Sequence, residues 1–124
     1  MEPEDTIDTG RGSVKYYDKV IRDTREEGYG RITVQNAFEV SSNVGVSQII
    51  YKNYKGNEEK FVDRLCRMHL NEPLGIDIKG EGIAHIQHPD DPLWSGISLP
   101  MMSHGYEVRM TPLQVLAFYN GIAN

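Results

Sequence analysis

Apolar residues recur at helical spacing in three consecutive stretches in the middle of the chain. The first stretch predicts a helix at about 33–41, and Thr33 stands in the position of its N-cap. The second predicted helix begins at Val44, carries its apolar side chains on one face, and ends before Gly56. The third, at about 58–70, has an apolar stripe opposite a charged face. The middle of the chain is therefore predicted to be helical.

The residues before these helices are typical of extended chain. Residues 1–12 are acidic and rich in turn formers, which indicates an extended, solvated lead-in. Between residues 13 and 23, β-forming side chains surround the turn-like pair Asp18-Lys19, which predicts a short hairpin. A lone hairpin is marginally stable in water, so we expect it to pack against another element.

The residues after the three helices fall into two parts. From residue 71 to 105 the chain is rich in proline and glycine and has no sustained period, which predicts a long irregular connection with at most short strands. Thr111-Pro112 then marks the start of a helix that continues to Ile122. Because its apolar residues point almost all round, this pattern predicts a buried helix whose far side packs against a partner outside this chain.

Composition narrows the possible function classes. The 124 residues are 39% hydrophobic and 25% charged, with a net charge of −5, which is typical of one modest globular core. An acidic chain disfavours wholesale binding to nucleic acid or to an anionic membrane. Cys66 is the only cysteine, so no intramolecular disulfide can form. No stretch approaches the roughly 20 apolar residues that cross a bilayer.

Three adjacent polar residues, Ser41-Ser42-Asn43, fall in the turn between the first two predicted helices. Residues two apart in such a turn can present their side chains to one site, where a hydroxyl could relay a proton and a carboxamide could hold a substrate amide. The alternative is that Ser41 and Asn43 merely cap the flanking helices, which is the commoner role of these residue types. The tripeptide alone favours capping.

The histidines and the cysteine give weaker signals. His85 and His88 have the spacing of a metal-ligand pair on a helix, but the surrounding glycines and prolines predict a surface loop without an obvious third ligand. Cys66 lies on the buried stripe of the third helix, which favours a core thiol over a nucleophile. His104 precedes a glycine turn and has no identifiable partner in the sequence.

Taken in order, several short motifs carry a more specific resemblance. They are Gly30-Arg31-Ile32-Thr33-Val34-Gln35-Asn36-Ala37-Phe38, Ser41-Ser42-Asn43-Val44-Gly45, Gly105-Tyr106, Thr111-Pro112-Leu113-Gln114 and Ile122-Ala123-Asn124. In this order the chain resembles the transpeptidase domain of class B penicillin-binding proteins, and within them the cell-division peptidoglycan D,D-transpeptidases. The resemblance extends from about Asp5 to Asn124. Glu107 stands where many members have a second glycine, which leaves the subgroup open.

That family uses three motifs: Ser-x-x-Lys with the nucleophile, Ser-x-Asn, and Lys-Thr-Gly or Lys-Ser-Gly. This chain contains only the second. We therefore expect residues 1–124 to be a partial transpeptidase domain, an internal fragment that begins with an added Met1 and is inactive alone. The resemblance assigns Ser41 to proton transfer near the missing lysine, and Asn43 to holding that lysine and the amide oxygen of the substrate. Ser42 is expected to point away, and no metal or organic cofactor is implied.

The implied fold class is α+β and mainly helical, namely the helical subdomain of the β-lactamase/transpeptidase-like fold. The parent protein would cross-link peptidoglycan stem peptides through an acyl-enzyme, react with β-lactams, and be anchored in the bacterial inner membrane with this domain outside. The rest of the domain, or a second copy of the fragment, would cover exposed apolar surface on the last helix. Two alternatives remain open: a penicillin sensor or serine β-lactamase of the same fold, and a non-enzymatic interaction module.

Overall fold

Short strands come first along the chain, and helices dominate the rest. The computed structural model describes residues 1–77 and 79–124. Its elements, in chain order, are β1 (Thr6–Asp8), β2 (Ser13–Tyr16), β3 (Lys19–Arg22), β4 (Arg31–Thr33), α1 (Val34–Glu39), α2 (Asn43–Tyr54), α3 (Glu58–Arg67), β5 (His85–Ile86), α4 (Ser98–Met102), β6 (Val108–Arg109) and α5 (Pro112–Ala123). The strands form three antiparallel pairs, β1 with β4, β2 with β3, and β5 with β6. This mixture is the mainly helical α+β class that the sequence predicts.

The first twelve residues are part of the folded structure and not only a solvated start. Ile7 of β1 pairs with Ile32 of β4, and the Ile7 side chain is buried. Thr9 is buried as well, and its hydroxyl donates a hydrogen bond to the carbonyl of Gly30 at 3.0 Å. The segment is extended, as predicted. Its packing could not be foreseen, because the alternation of buried residues 7 and 9 is too short to stand out as a strand pattern.

The predicted hairpin is present, with its turn one residue earlier than expected. Tyr16 of β2 lies opposite Lys19 of β3, so Tyr17 and Asp18 form the two-residue turn. Tyr17 has a φ of 52°, in the left-handed region that tight hairpin turns use. The hairpin packs against α2, because Tyr16 is buried and its hydroxyl donates to Oγ of Ser47 at 3.3 Å.

The ends of the helices follow the capping residues. Thr33 accepts a hydrogen bond from the third backbone N–H after it at 3.0 Å, and Thr111 forms a reciprocal capping box with Gln114. Both N-caps were predicted, and both are confirmed. Helix α3 ends at Arg67, three residues before the predicted end. The chain turns away there because His69 adopts a left-handed φ of 58°.

The irregular stretch from residue 71 to 105 contains a short helix that the sequence did not indicate. Strand β5 is short, as expected, but α4 adds five residues of helix without a side-chain cap. Leu99 and Met102 of α4 are buried, and the helix packs against α2. A helix of little more than one turn that contains Pro100 is too short to show a helical period, so the sequence does not indicate it.

One apolar cluster joins α3 to this irregular stretch. Its buried members are Val62, Leu70, Ile86 and Met102. Cys66 packs against the cluster, and burial is the main cause that raises the pKa of its thiol. A thiol with a raised pKa forms little thiolate, so the structure supports the core-thiol interpretation of Cys66.

Among the described residues, helix α5 presents most of its apolar side chains to solvent, so its far side is uncovered there, as the sequence pattern predicts. Leu116 is 63% exposed and Ile122 is 66% exposed, whereas Gln114 is the buried residue of the helix. The described residues cover α5 on the side where Phe118 packs against the apolar cluster. Within the described residues no helix, α5 included, has the length and apolar content needed to cross a membrane.

Candidate functional site

The turn between α1 and α2 places Ser41 at the surface in a strained conformation. Ser41 has a φ of 53°, and its backbone N–H donates to the carbonyl of Phe38 at 3.1 Å. Ser41 is exposed, and its hydroxyl takes part in no side-chain hydrogen bond among the described residues. A left-handed conformation is unfavourable by about 1–2 kcal/mol for a residue with a Cβ, and such strain is concentrated at functional sites. The Ser41 hydroxyl is therefore free to meet a ligand.

Replacing Ser41 by glycine is expected to raise the free energy of unfolding by about 1 kcal/mol, because glycine adopts this φ without the Cβ penalty. Urea denaturation of the 124-residue chain measures the effect. Ser13→Gly is the control, at an exposed position of β2, and it should lower stability by about 0.5–1 kcal/mol. A Ser41→Gly variant less stable than the parent chain would contradict the strain at Ser41.

Ser42, in contrast, is buried and caps helix α2. Its hydroxyl donates to the carboxylate of Asp23, with Oγ 3.0 Å from Oδ1 and 3.1 Å from Oδ2. The same oxygen accepts from the backbone N–H of Gly45 at 2.9 Å. Asp23 also accepts from the N–H of Val44 at 2.9 Å. The cap of α2 is therefore made by Ser42 and Asp23, and not by Ser41 or Asn43.

Asn43 is the first residue of α2, and the end of β3 fixes its side chain. Its amide nitrogen Nδ2 donates to the carbonyl of Arg22 at 3.0 Å. Because a backbone carbonyl only accepts, this contact settles which end of the carboxamide is the nitrogen. Among the described residues, the oxygen Oδ1 and the second N–H of Nδ2 have no partner, so they remain available as an acceptor and a donor.

Ser41 and Asn43 line the same cavity, which has a volume of about 380 Å³. Its walls come from three separate parts of the chain: Phe38, Ser41, Ser42, Asn43 and Val46 around the turn, Ser103 and His104 after α4, and Tyr119 of α5. The structure thus brings the two predicted site residues together. It adds Ser103 and His104, whose place in the cavity depends on the packing of α4 and has no local sequence signal.

His104 contributes an imidazole in a defined tautomer to this cavity. Its Nδ1 lies 3.0 Å from the carbonyl oxygen of Pro100, so Nδ1 carries the proton and Nε2 is the acceptor in the neutral ring. Burial lowers the pKa of His104, and the hydrogen bond to Pro100 opposes that shift. The ring also contacts Tyr106 edge-on, with 5.2 Å between the ring centroids. Burial therefore favours the neutral form of the His104 imidazole.

The whole chain, residues 1–124, matches the family model of the penicillin binding protein transpeptidase domain. The chain belongs to this family. PbpB of Mycobacterium tuberculosis is 28% identical over 113 residues, which is 91% of this chain and 16% of PbpB. The peptidoglycan D,D-transpeptidase FtsI of Escherichia coli K12 is 29% identical over 96 residues, which is 77% of this chain and 16% of FtsI. The class B membership that the ordered motifs predicted is confirmed.

Solved structures of this family share the fold of the chain. The transpeptidase domain of Burkholderia pseudomallei penicillin-binding protein 3 matches with a TM-score of 0.84 at 24% identity, over 98% of this chain and 34% of that one. Penicillin-binding protein 3 of Mycobacterium tuberculosis, in complexes with aztreonam and with ampicillin, matches with a TM-score of 0.80 at 26% identity, over 98% of this chain and 26% of that one. The predicted β-lactamase/transpeptidase-like fold is confirmed.

The other candidate residues of this transpeptidase-domain chain do not form a second site. His85 lies in strand β5, which removes the helical geometry that a ligand pair with His88 would need. Nδ1 of His88 lies 3.4 Å from Oδ2 of Asp90, whose side chain is highly exposed. Within residues 1–77 and 79–124, no group of three or more histidine, cysteine, aspartate or glutamate side chains is placed to hold a metal ion.

Proposed function

We propose that residues 1–124 are part of a serine-type peptidoglycan D,D-transpeptidase, in which Ser41 and Asn43 assist a nucleophile that lies outside this chain. The observation that carries the proposal is the shared cavity, where the Ser41 hydroxyl and the Asn43 carboxamide oxygen have no hydrogen-bond partner among the described residues. The family of the chain and the name of its relative FtsI support the same activity. Because the chain spans 16% of FtsI and of PbpB, the activity is proposed for the longer protein.

In the proposed reaction, the external serine attacks the carbonyl carbon of the penultimate D-alanine of a stem peptide. The C–N bond to the terminal D-alanine breaks, an ester to the serine forms, and the serine proton is transferred to the leaving amine. An amine of a neighbouring strand then attacks the ester, which forms the cross-link and returns the proton to the serine. A β-lactam follows the first half of this path, and the opened ring stays on the enzyme as an ester.

The two residues of this chain fit supporting roles in that reaction. The Ser41 hydroxyl can both accept and donate a proton, as a relay between the base and the leaving amine requires. Oδ1 of Asn43 is held as an acceptor because Nδ2 donates to Arg22, so it suits the ammonium group of a lysine. The second N–H of Nδ2 suits the amide oxygen of the substrate. Ser42 supplies no group that meets the substrate, since its hydroxyl is bonded to Asp23.

The chain by itself is expected to be inactive, because a hydroxyl and a carboxamide without a nucleophile and a base cannot start acyl transfer. Intact-mass spectrometry after incubation with excess penicillin tests this. We expect an adduct on the full-length protein that contains residues 1–124, lost when the serine of its Ser-x-x-Lys motif is replaced, and no adduct on the 124-residue chain. In the full-length protein, Ser41→Ala should slow acylation by about 10²–10⁴-fold.

Ser13→Ala, at an exposed position of β2, is the matched control and should acylate at the parent rate. An adduct on the 124-residue chain would mean that one of its own serines is the nucleophile, which would overturn the assigned roles. The absence of an adduct on both proteins would favour the non-enzymatic interaction module. A full-length protein that rapidly hydrolyses the penicillin ester would indicate a serine β-lactamase of the same fold.

The exposed face of α5 supports a further part of this proposal. Leu113 and Leu116, with Leu74 and Ile76 beside them, line an apolar groove of about 460 Å³. We propose that the rest of the transpeptidase domain covers this groove in a protein anchored in the bacterial inner membrane, with the domain outside. The isolated chain is then expected to self-associate or to bind an apolar dye. A monomeric chain that binds no dye would contradict this.

A further inference from the structure

Asp23 lies directly after strand β3, and its buried carboxylate accepts hydrogen bonds from the start of helix α2. It accepts hydrogen bonds from the hydroxyl of Ser42 and from the backbone N–H of Val44, at distances between 2.9 and 3.1 Å. Its own N–H donates to the carbonyl of Gly12 at 2.8 Å, which ties it to the lead-in. The position of the carboxylate is thus set from both sides, by the β-hairpin and by the lead-in.

Arg22, the residue before Asp23, holds the side chain of Asn43. The carbonyl of Arg22 accepts from Nδ2 of Asn43 at 3.0 Å. Two consecutive residues at the end of β3 therefore contact the three consecutive residues Ser42, Asn43 and Val44. None of these contacts involves the side chain of Ser41. Because Ser42 is the N-cap of α2, the position of Ser42 also sets the position of the Ser41 backbone.

The chemistry of the carboxylate suits this position. A negative charge next to the first turn of a helix is favourable, because the free N–H groups and the helix dipole are positive there. One carboxylate also offers enough acceptor sites for a hydroxyl and an N–H at the same time. An alanine at position 23 would leave the Ser42 hydroxyl and the Val44 N–H without their partner, and the turn could then reorient.

We propose that Asp23 is a positioning residue for acyl transfer: its carboxylate holds Ser42 and the first turn of α2, and thereby sets where Ser41 and Asn43 meet the substrate. This rests on the function proposed above for Ser41 and Asn43. A displacement of about 1 Å in a reacting geometry lowers rates by up to about 10²-fold, so even a small shift of the turn should slow acylation.

The test compares Asp23→Ala, Asp23→Asn and Val62→Ala in the full-length protein that contains residues 1–124. For each variant, the first-order acylation rate at saturating penicillin is measured on folded protein, well below its melting temperature. We expect a loss of about 10- to 100-fold for Asp23→Ala. Asp23→Asn keeps Oδ1, which both donors contact, and should recover most of that rate. Val62→Ala destabilises the apolar cluster, of which Asp23, Ser42 and Asn43 are not members, and should acylate at the parent rate.

The outcomes separate positioning from stability alone. Asp23→Ala acylating at the parent rate, with only a lower melting temperature, would overturn the proposal while the proposed function stands. A parent protein that forms no adduct would overturn both. If Asp23→Ala does not fold, Ser42→Ala breaks the same contact from the other end. Ser42→Ala acylating at the parent rate would then overturn the proposal, and a slowed rate with Asn43 amide signals shifted in its NMR spectrum would support it.

Discussion

Replacing Gly28 by alanine is expected to lower the free energy of unfolding of this chain by about 3–5 kcal/mol. A Cβ on Gly28 would overlap the backbone nitrogen of Gly12 and would lie 2.6 Å from the carbonyl carbon of Arg11. Backbone atoms cannot rotate out of the way as the end of a long side chain can. Gly28 also has a φ of +69°, where an alanine is strained even in open space.

The substitution should also disturb the turn that carries Ser41 and Asn43, because the close approach of Gly28 to Gly12 helps to fix the position of Asp23. Gly12 accepts the hydrogen bond from the N–H of Asp23, so a separation of the two loops also moves the residue that caps α2. Urea denaturation measures the loss of stability. The matched control is Gly30→Ala, at a φ of +63° with nothing within 4 Å of its Cβ, which should lose only about 1–2 kcal/mol. Equal losses in the two variants would show that the approach of Gly28 to Gly12 contributes nothing.

Replacing Gly45 by alanine is expected to lower the free energy of unfolding by about 2 kcal/mol, although alanine is the better helix former. A Cβ there would lie 2.8 Å from Cβ of Ala37 and 3.0 Å from Oγ of Ser42. Ala37 is fully buried and has no rotamer to change, so α1 and α2 would have to separate. Ser42 could yield only by giving up its hydrogen bond to Asp23.

Gly121→Ala supplies the matched control for this second prediction. Gly121 is also helical, and a Cβ there meets nothing within 4 Å. Helix propensity then acts alone, and the variant should gain up to about 1 kcal/mol. Thermal or urea denaturation of the two variants should give shifts of opposite sign. A stabilised Gly45→Ala variant would mean that α1 and α2 do not pack as closely as the structure has them.

The elements that the sequence predicted well are those whose signal is local. Thr33 and Thr111 cap helices through contacts with residues three positions on, so the signal lies within one turn. The hairpin of residues 13–23 likewise depends on β-forming residues around a short turn. Its turn was placed one residue late, because any of several neighbouring pairs can close a hairpin and the packing of Tyr16 on α2 decides which one does.

Elements that depend on distant partners were not predictable in this way. Helix α4 exists because Leu99 and Met102 pack into the interior, and five residues with a proline show no helical period. Helix α5 is apolar on most faces, so its far side was expected to need a partner outside this chain, and the exposure of Leu116 and Ile122 agrees with that expectation. A hydrophobic pattern indicates only that a helix face needs to be buried, and the described residues bury one side of α5.

For the site, the ordered motifs were enough to identify the family, because they are a property of the chain and need no coordinates. The roles of Ser41 and Asn43 rest on the same resemblance and stay a prediction. Which of the two serine hydroxyls is exposed and which one caps helix α2 depends on the tertiary structure. Ser41 and Ser42 are the same residue type in adjacent positions, and the fold distinguishes them. Ser42 is buried and contacts the Asp23 carboxylate and the Gly45 N–H, whereas Ser41 is exposed and has a left-handed φ. The place of His104 in the same cavity was decided likewise, because side chains far apart in the sequence meet only after the elements between them have packed.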